Sequence, residues 1–215
     1  MPRTAPDEYL QRAYTLSTTT EARTLYNEWS TVYDTDLTSA GYASPRRAVE
    51  TAIAHLPASQ PTPLRILDAG CGTGLVGSYL STSALANKFT LDGLDLSEGM
   101  LSVARSKNIY SSLDVANLND AILKPDGSYD VVICVGTLTE GHVGPKVLGE
   151  FVRVAVAKTG LVVVTVHEKV WESGGFKGEV ERLERERIVD VVAVDEFGIL
   201  EGERKGGWMV VLRRV

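Results

Sequence analysis

The sequence predicts one α/β domain built on a doubly wound, mostly parallel sheet of seven strands, preceded by a helical segment. After residue 60, short β-branched runs alternate with helical patterns, which is typical of a parallel sheet with crossover helices. The first 60 residues contain no such runs. A chain of 215 residues with 44% hydrophobic residues can bury one core. We therefore assign residues 1–60 to a helical cap or lid and residues 61–215 to one compact ligand-binding domain.

Composition and charge exclude several function classes. Lys and Arg total 22 against 28 Asp and Glu, and the net charge of −6 disfavours sequence-independent binding to nucleic acids. The apolar runs are too short to span a bilayer, and the first eight residues contain no stretch typical of a secretory signal. Cys71 and Cys134 show no metal-ligand spacing with the three histidines. We expect a soluble, cytoplasmic protein without a metal site, whose ligand is small and neutral or cationic.

The amino-terminal 60 residues are predicted to hold three helices. The first begins near Asp7, and the second extends to Trp29. Thr18 and Glu21 have the spacing of a capping box, which marks the start of the second helix. The third covers Ser44 to Leu56 and is followed by a proline.

The sheet strands follow in order along the chain. They are expected near Leu64 to Asp68, Phe89 to Leu94, Ile109 to Val115, Tyr129 to Val135, Leu161 to Val166, Val189 to Val194 and Trp208 to Arg213. Helices are expected at Leu75 to Ser83, Glu98 to Ser106, near Asn119, at Lys146 to Ala157 and at Lys177 to Arg187. The fourth and fifth strands are almost wholly apolar, which is typical of central strands. The last two strands are expected to be antiparallel across a long hairpin loop.

A glycine-rich turn follows the first strand and precedes a helix. It contains Gly70, Cys71, Gly72 and Gly74. In doubly wound folds such a turn lies at the carboxyl end of a strand, where glycines let a ligand approach backbone N–H groups. Residues 72–77 also fit the G-x-G-x-x-G pattern of dinucleotide folds, so a nicotinamide cofactor is one alternative.

Two acidic residues favour a different cofactor. Asp68, two residues before the first glycine, would repel a pyrophosphate in a partly dry cleft, whereas it would attract the ammonium of S-adenosylmethionine directly or through water. Asp95 ends the second strand, where a carboxylate can accept both ribose hydroxyls. Leu96 and Met100 follow and can form apolar walls for the adenine. Asp92 is the weaker alternative, since it can equally be a solvated strand residue.

These motifs together resemble the class I S-adenosylmethionine-dependent methyltransferases. The resemblance rests on three segments: Leu67-Asp68-Ala69-Gly70-Cys71-Gly72-Thr73-Gly74, Gly93-Leu94-Asp95-Leu96-Ser97-Glu98-Gly99-Met100-Leu101 and Tyr129-Asp130-Val131-Val132. It implies that the glycine loop holds the methionine part of the cofactor and that Asp95 holds the ribose. Asn117 stands where that family often has an Asp that accepts from the adenine amine, and an amide oxygen can accept as well.

A narrower resemblance is to the methyltransferase-like family from the Williams-Beuren syndrome region. It rests on residues 25–37, on residues 41–45 and on Val135-Gly136-Thr137-Leu138-Thr139-Glu140-Gly141-His142-Val143. In related methyltransferases the amino-terminal segment lies over the cofactor and shapes the acceptor pocket, which implies such a role for Tyr26, Trp29 and Tyr33. A plain core role is the alternative, because aromatic residues at helical spacing usually pack.

Methyl transfer requires the acceptor lone pair to be held close to the methyl group, and a base helps where the acceptor must lose a proton. Candidate bases near strand ends are Glu140, His142 and His167. We select His142, Glu140 and Tyr33 as catalytic candidates. The cofactor-contacting set is Tyr26, Tyr33, Asp68, Gly70, Cys71, Gly72, Gly74, Asp95, Leu96, Met100, Asn117, Leu118, Cys134 and Val135.

The sequence therefore predicts a methyltransferase that uses S-adenosylmethionine and acts on a small molecule. A protein or peptide acceptor and a cofactor-binding subunit without activity are the main alternatives. A nicotinamide-dependent oxidoreductase is less favoured, because Asp68 precedes the glycine loop.

Overall fold

A computed structural model describes residues 6–16 and 18–215, with side chains from Glu8 onward. Residues 1–5, where we expect no secretory signal, and Ser17 lie outside the described residues. The strands are β1 (Leu64–Ala69), β2 (Phe89–Asp95), β3 (Ser112–Val115), β4 (Val131–Leu138), β5 (Leu161–His167), β6 (Val189–Gly198) and β7 (Gly206–Arg214). The helices are α1 (Pro6–Ala13), α2 (Thr19–Trp29), α3 (Tyr33–Ser39), α4 (Ser44–His55), α5 (Leu75–Thr82), α6 (Glu98–Ser106), α7 (Val147–Val154), α8 (Glu168–Trp171) and α9 (Phe176–Arg185).

The strands form one seven-stranded sheet in the order β3-β2-β1-β4-β5-β7-β6. Strands β1 to β5 pair in parallel, while β7 is antiparallel to both β5 and β6. This confirms the predicted doubly wound sheet and its antiparallel final pair. None of the helices in the described part of the chain is long and apolar enough to cross a bilayer.

The sheet core has two layers because the central strands are buried on both faces. Every residue from Leu161 to Val166 in β5 is buried, as its continuous apolar run predicts. One face packs against α7 and α9, with Phe151 at its centre. The other packs against α4 and α5.

The amino-terminal helices form a separate apolar cluster. Trp29, Leu25 and Leu37 are buried together, and the Trp29 indole N–H donates to the Asp36 carboxylate at 2.9 Å. The capping box is present, because Thr18 accepts from the Glu21 N–H and the Glu21 carboxylate accepts from the Thr18 N–H. Helix α4 instead belongs to the sheet core. The boundary at residue 60 stays a prediction.

Several local predictions differ from the structure. The helix near Asn119 is wrong, because the Asn117 side-chain oxygen accepts the Asn119 N–H at 3.1 Å and stabilises a turn there instead. Strand β3 begins at Ser112, three residues later than predicted, and Tyr110 turns towards β1. Helices α3 and α8 were not predicted, since both are short and carry no clear helical periodicity.

We expect Phe151→Ala to destabilise the fold by about 3–5 kcal/mol, because this side chain of α7 is fully buried in the core against the sheet. Chemical denaturation measures the change in free energy of unfolding. Leu123→Ala is the control, since Leu123 is 95% exposed and its truncation should change stability by less than about 0.5 kcal/mol. Equal effects for the two variants would contradict this account of the core.

Candidate active site

The glycine turn after β1 is held against β2 by backbone hydrogen bonds. The Gly70 and Cys71 N–H groups donate to the Leu94 carbonyl at 2.7 and 2.9 Å. Gly70 has a φ of +76°, and a Cβ there would overlap the Thr137 side chain. Gly74 has a φ of +89° and begins α5. The sequence folds this way because only glycine adopts such angles without strain at so close an approach.

Asp95 joins the ends of β1 and β2. Its two carboxylate oxygens accept the Gly72 N–H at 2.8 Å and the Ser97 N–H at 2.8 Å. Burial raises the pKa of the Asp95 carboxyl, and these backbone donors oppose the rise. Each oxygen keeps a lone pair, so the carboxylate can accept two further hydrogen bonds from a ligand.

Asp68 lies fully buried beneath the glycine turn. One of its oxygens accepts the Tyr110 hydroxyl at 2.7 Å, and Oδ1 has no hydrogen-bond partner among the described residues. Burial raises the pKa of Asp68 to about 7, the Tyr110 bond opposes the rise, and the charge of Asp95 adds to it. Asp68 is therefore a buried carboxyl group below the site, and one of its two oxygens has an unsatisfied hydrogen-bonding capacity.

A cavity opens above the turn at the carboxyl ends of the strands, where doubly wound sheets bind ligands. Most of the predicted cofactor-contacting residues line it: Tyr26, Tyr33, Gly70, Gly72, Asp95, Leu96, Met100, Asn117, Leu118 and Val135. We call this space the cofactor cavity. Among the described residues that line it there is no Lys or Arg, so its walls offer no side-chain cation for a pyrophosphate.

Four predicted contact residues do not line the cofactor cavity: Asp68, Cys71, Gly74 and Cys134. Asp68 and Cys134 are fully buried, and Cys71 lies against Gly93 inside the sheet layer. Gly74 is covered by Tyr110. These four residues lie outside the lining of the cavity, and their direct contact with a cofactor stays a prediction.

Asn117 lines the cofactor cavity, yet its amide is already engaged. Its oxygen accepts the Asn119 N–H at 3.1 Å, and its amide nitrogen donates to Asp120 at 3.1 Å. The Asn119 amide nitrogen donates to the same oxygen at 3.4 Å, so both of its lone pairs are engaged, and a ligand amine would have to displace this longer bond. The Asn119 side chain in turn donates to the His142 carbonyl at 3.1 Å, which ties this loop to the loop after β4.

His142 and Tyr26 form a hydrogen-bonded pair over the strand ends. The His142 Nδ1 lies 2.7 Å from the Glu140 carbonyl oxygen, and Nε2 lies 2.8 Å from the Tyr26 hydroxyl. A carbonyl only accepts, so Nδ1 carries the proton and Tyr26 donates to the Nε2 lone pair. Burial lowers the pKa of His142, which favours the neutral ring.

A second cavity of about 530 Å³ adjoins the first, and we call it the aromatic chamber. Four residues line both spaces: Tyr26, Tyr33, Gly136 and His142. Its other walls come from the amino-terminal segment and the β6–β7 hairpin and include Tyr14, Trp29, Tyr42, Phe197 and Leu200. The size lies within the range typical of small-molecule sites, about 300–1,000 Å³.

The remaining catalytic candidates lie apart from each other. The Glu140 carboxylate lies outside both cavities, because it pairs with Lys169 at 3.4 Å, and only its carbonyl meets His142. His167 lines the aromatic chamber, where burial lowers its pKa. Its Nδ1 accepts the Lys169 N–H at 3.3 Å and caps α8. Asp92, the weaker alternative to Asp95, is half-buried and accepts from the Ser112 and Tyr129 hydroxyls at 2.8 and 2.9 Å, and it does not line the cofactor cavity.

Sequence reasoning missed three residues. Tyr110 is the partner of Asp68, and Thr137 packs against Gly70 and lines the cofactor cavity. Asn27 accepts from the Ser97 hydroxyl at 2.7 Å and the Gly99 N–H at 2.9 Å, which joins α2 to the start of α6. Of the residues in this contact between α2 and α6, only Gly99 carries a signal in the sequence, because a glycine in the first turn of a helix often marks the close approach of another backbone.

Comparisons with known proteins agree with this geometry. Residues 66–158 match the methyltransferase domain family. Methyltransferase-like protein 27 of Homo sapiens is 37% identical over 119 residues, which are 55% of this chain and 47% of that protein. The Bacillus subtilis (strain 168) protein YqeM is 32% identical over 149 residues, 66% of this chain and 56% of that protein. The chain thus spans about half the length of the curated relatives it matches.

The fold is also found in solved structures. A TehB-like S-adenosylmethionine-dependent methyltransferase from Corynebacterium glutamicum superposes with a TM-score of 0.63 at 22% sequence identity. The superposition covers 88% of this chain and 98% of the other. This likeness supports the fold.

We expect Asp68→Asn to change how stability depends on pH. Between pH 4 and 7 the folded protein holds a proton on Asp68 that the unfolded chain has released, so wild-type stability falls as pH rises through about 7. The Asp68→Asn variant does not show this fall in unfolding free energy, because its amide does not titrate. From pH 5 to 8 the wild type should lose roughly 2 kcal/mol of unfolding free energy relative to the variant.

The measurement is a denaturant titration at each pH. The control is Asp190→Asn in β6, whose side chain is exposed and should not produce this difference. Parallel pH curves for wild type and Asp68→Asn would contradict the raised pKa.

Proposed function

We propose that this chain, which belongs to the class I S-adenosylmethionine-dependent methyltransferases, transfers a methyl group from that cofactor to a small-molecule acceptor. One observation carries the proposal. The cofactor cavity and the aromatic chamber adjoin, and Tyr26, Tyr33, Gly136 and His142 belong to both. Two ligands bound in the two spaces would therefore meet at these residues, as in-line transfer between them requires.

The cofactor side is supported by the donors and acceptors present. The free lone pairs of Asp95 suit a pair of ribose hydroxyls, and Leu96 and Met100 suit an adenine ring. The unpartnered Asp68 Oδ1 suits a cationic group above the glycine turn, reached through water because Asp68 does not line the cavity. The cavity has no Lys or Arg wall, which argues against a nicotinamide dinucleotide.

When bound, S-adenosylmethionine supplies an electrophilic methyl group on a positively charged sulfur. The residues of this chain then have to orient the acceptor and exclude water. Tyr26 and Tyr33 cover the junction of the two cavities, and both are held by the Trp29 cluster. We keep His142 and Tyr33 as catalytic candidates and withdraw the Glu140 side chain, because its carboxylate faces Lys169.

The aromatic chamber favours a small, uncharged or weakly cationic acceptor. Its charged wall residues are Glu168, Glu203 and Lys205, so acids outnumber bases. A peptide side chain can enter a space of this size as well, and a cofactor-binding role without turnover is the other alternative. The mainly apolar, aromatic walls favour a whole small molecule over a segment of a macromolecule. Both cysteines are free and buried, which suits the proposed cytoplasmic location.

Residues 1–60 are proposed to act as a lid over the cofactor. Asp34 of α3 accepts the Thr73 hydroxyl of the glycine turn and pairs with Lys107 at 2.7 Å. Asn27 binds the start of α6. These contacts leave the cofactor cavity narrow, at about 90 Å³, so the helices have to separate from the strand ends to admit a nucleoside-sized ligand.

We expect Asp95→Ala to weaken S-adenosylhomocysteine binding by about 1.5–3 kcal/mol, the usual scale for hydrogen bonds to a charged group. Isothermal titration calorimetry measures it. Asp92→Asn is the matched control, because Asp92 faces Ser112 and Tyr129 and keeps an acceptor oxygen after the change. NAD should release no binding heat. Unchanged affinity in Asp95→Ala would remove Asp95 from the ribose, and binding of NAD alone would overturn the cofactor assignment.

Labelled cofactor tests the acceptor class. The protein is incubated with methyl-labelled S-adenosylmethionine and a cell extract, which is then separated by filtration at a few kilodaltons. We expect label in the small-molecule filtrate. Label confined to a protease-sensitive macromolecular fraction would contradict the small-molecule proposal, and no transfer to either fraction would favour a binding role without turnover.

A further inference from the structure

We propose that the acceptor is a planar, uncharged hydroxyl compound, and that its proton passes to Tyr26 while Tyr26 gives its own proton to His142. This inference rests on the proposed function and adds the methylated atom and the residue that deprotonates it. Tyr26 would be the catalytic residue that touches the acceptor. His142 would act through Tyr26 as the final proton acceptor.

The direction of the hydrogen bonds carries the proposal. The Glu140 carbonyl fixes the His142 proton on Nδ1, so the Nε2 lone pair receives the Tyr26 O–H at 2.8 Å. With its only proton directed at His142, the Tyr26 oxygen can accept but not donate. A ligand placed against it must supply a donor, and a hydroxyl group at the methylated position does so.

The position of the pair supports a role in transfer. Tyr26 and His142 both line the cofactor cavity and the aromatic chamber, so they stand where the two ligands would meet. His167 is the other histidine of the chamber, but its Nδ1 lone pair caps α8. A neutral His167 then carries its proton on Nε2 and has no free lone pair to act as a base.

Charge balance selects a hydroxyl over an ammonium. The cofactor brings one positive charge to the junction, and an ammonium acceptor would add a second in a region whose burial already disfavours a charged His142. A neutral hydroxyl adds none. As the methyl group leaves sulfur, the positive charge there disappears and one appears on His142, so the total charge at the junction stays at one.

A thiol acceptor depends less on deprotonation by the Tyr26–His142 pair, since a thiol with a pKa of about 8.5 is partly ionised near neutral pH. A phenol, with a pKa of about 10, has to lose its proton as it reacts. The flat walls of the chamber favour an aromatic ring on the acceptor. Trp29 stacks near Tyr26 with ring centroids 6.2 Å apart, and Phe197 faces the same space.

The atoms balance as follows. A bond forms between the acceptor oxygen and the methyl carbon, the carbon–sulfur bond breaks, and its electron pair stays on sulfur. The acceptor proton goes to the Tyr26 oxygen, and the Tyr26 proton goes to His142 Nε2. His142 then holds protons on both nitrogens, and it returns one to solvent through Tyr26 after the product leaves. The products are the methyl ether, S-adenosylhomocysteine and one proton.

The rate should fall with acidification, because protonated His142 cannot accept from Tyr26. Burial lowers the pKa of His142, so the fall lies below its usual range. The titratable and charged groups that share the two cavities with His142, or pair beside it, are Tyr14, Tyr26, Tyr33, Tyr42, Asp95, Glu140, His167, Glu168, Lys169, Glu203 and Lys205. Variants at His142 are therefore needed to assign the fall in rate at low pH to this residue.

The first test identifies the methylated atom. The protein is incubated with ¹³C-methyl S-adenosylmethionine and the small-molecule filtrate of a cell extract, and NMR of the product distinguishes oxygen-, nitrogen-, sulfur- and carbon-bound methyl groups. We expect an oxygen-bound methyl on an aromatic compound. A methyl group on nitrogen, sulfur or carbon would overturn this inference while leaving the proposed function intact. Absence of any transfer would defeat the proposed function itself.

The second test uses Tyr26→Phe and His142→Asn, with the same filtrate as acceptor and saturating cofactor. Each should lower the rate about 100-fold or more, and the double variant should be no slower than the single ones, because the two residues act as a unit. The rate of His142→Asn should not fall further at low pH. Tyr79→Phe and His55→Asn are matched controls, since Tyr79 lies on α5, His55 ends α4, and neither residue lines the cofactor cavity or the aromatic chamber.

The third readout needs no activity. In ligand-free protein, NMR titration of the histidines should show a higher pKa for His142 in Tyr26→Phe than in wild type, because the Tyr26 donor stabilises the neutral ring. Tyr79→Phe should leave it unchanged. Wild-type rates in Tyr26→Phe, or an unchanged His142 pKa in that variant, would overturn the relay.

Discussion

The reversal of strand order between β1 and β4 is the constraint on which the site depends. Strand β1 lies between β2 and β4, so the chain leaves β1 towards one side and β4 towards the other, and a crevice opens between their carboxyl ends. The glycine turn forms one wall, and the other is formed by the end of β4 and the loop that follows it, from Gly136 to His142. Asp95 fixes the first wall through two backbone donors, so the crevice is preorganised before any ligand arrives.

The amino-terminal helices complete this crevice through polar contacts with the loops that build it. Asn27 engages the start of α6, Asp34 engages the glycine turn, and Tyr26 engages His142. The apolar Trp29 cluster joins the three helices α1, α2 and α3. Helices α2 and α3 contribute walls to both the cofactor cavity and the aromatic chamber, through Tyr26 and Tyr33.

Local patterns predicted most of the fold and the position of Asp95 beside the glycine turn at the strand ends. Asp95 and the glycine turn follow from strand-end position, because their contacts are made within 25 residues of chain. The pairs Tyr26–His142 and Tyr110–Asp68 join residues 116 and 42 apart, and nothing in either segment encodes its partner. The helix near Asn119 fails for a local reason, since an asparagine side chain competes for the backbone donor. Glu140 fails because sequence does not show that Lys169 lies beside it.

The two halves of the site differ in how freely they can change. The cofactor half is built from turns that require particular glycines and backbone donors, so most substitutions there strain the backbone at the carboxyl ends of the strands. The chamber half is built from side chains on helices and on the β6–β7 hairpin, which meet where the Ala43 N–H donates to the Ile199 carbonyl at 2.9 Å. Phe197 and Leu200 on the hairpin line only the aromatic chamber, so they can be exchanged without disturbing Asp95 or the glycine turn. The hairpin side of the chamber can therefore diverge within this fold while the cofactor cavity stays fixed.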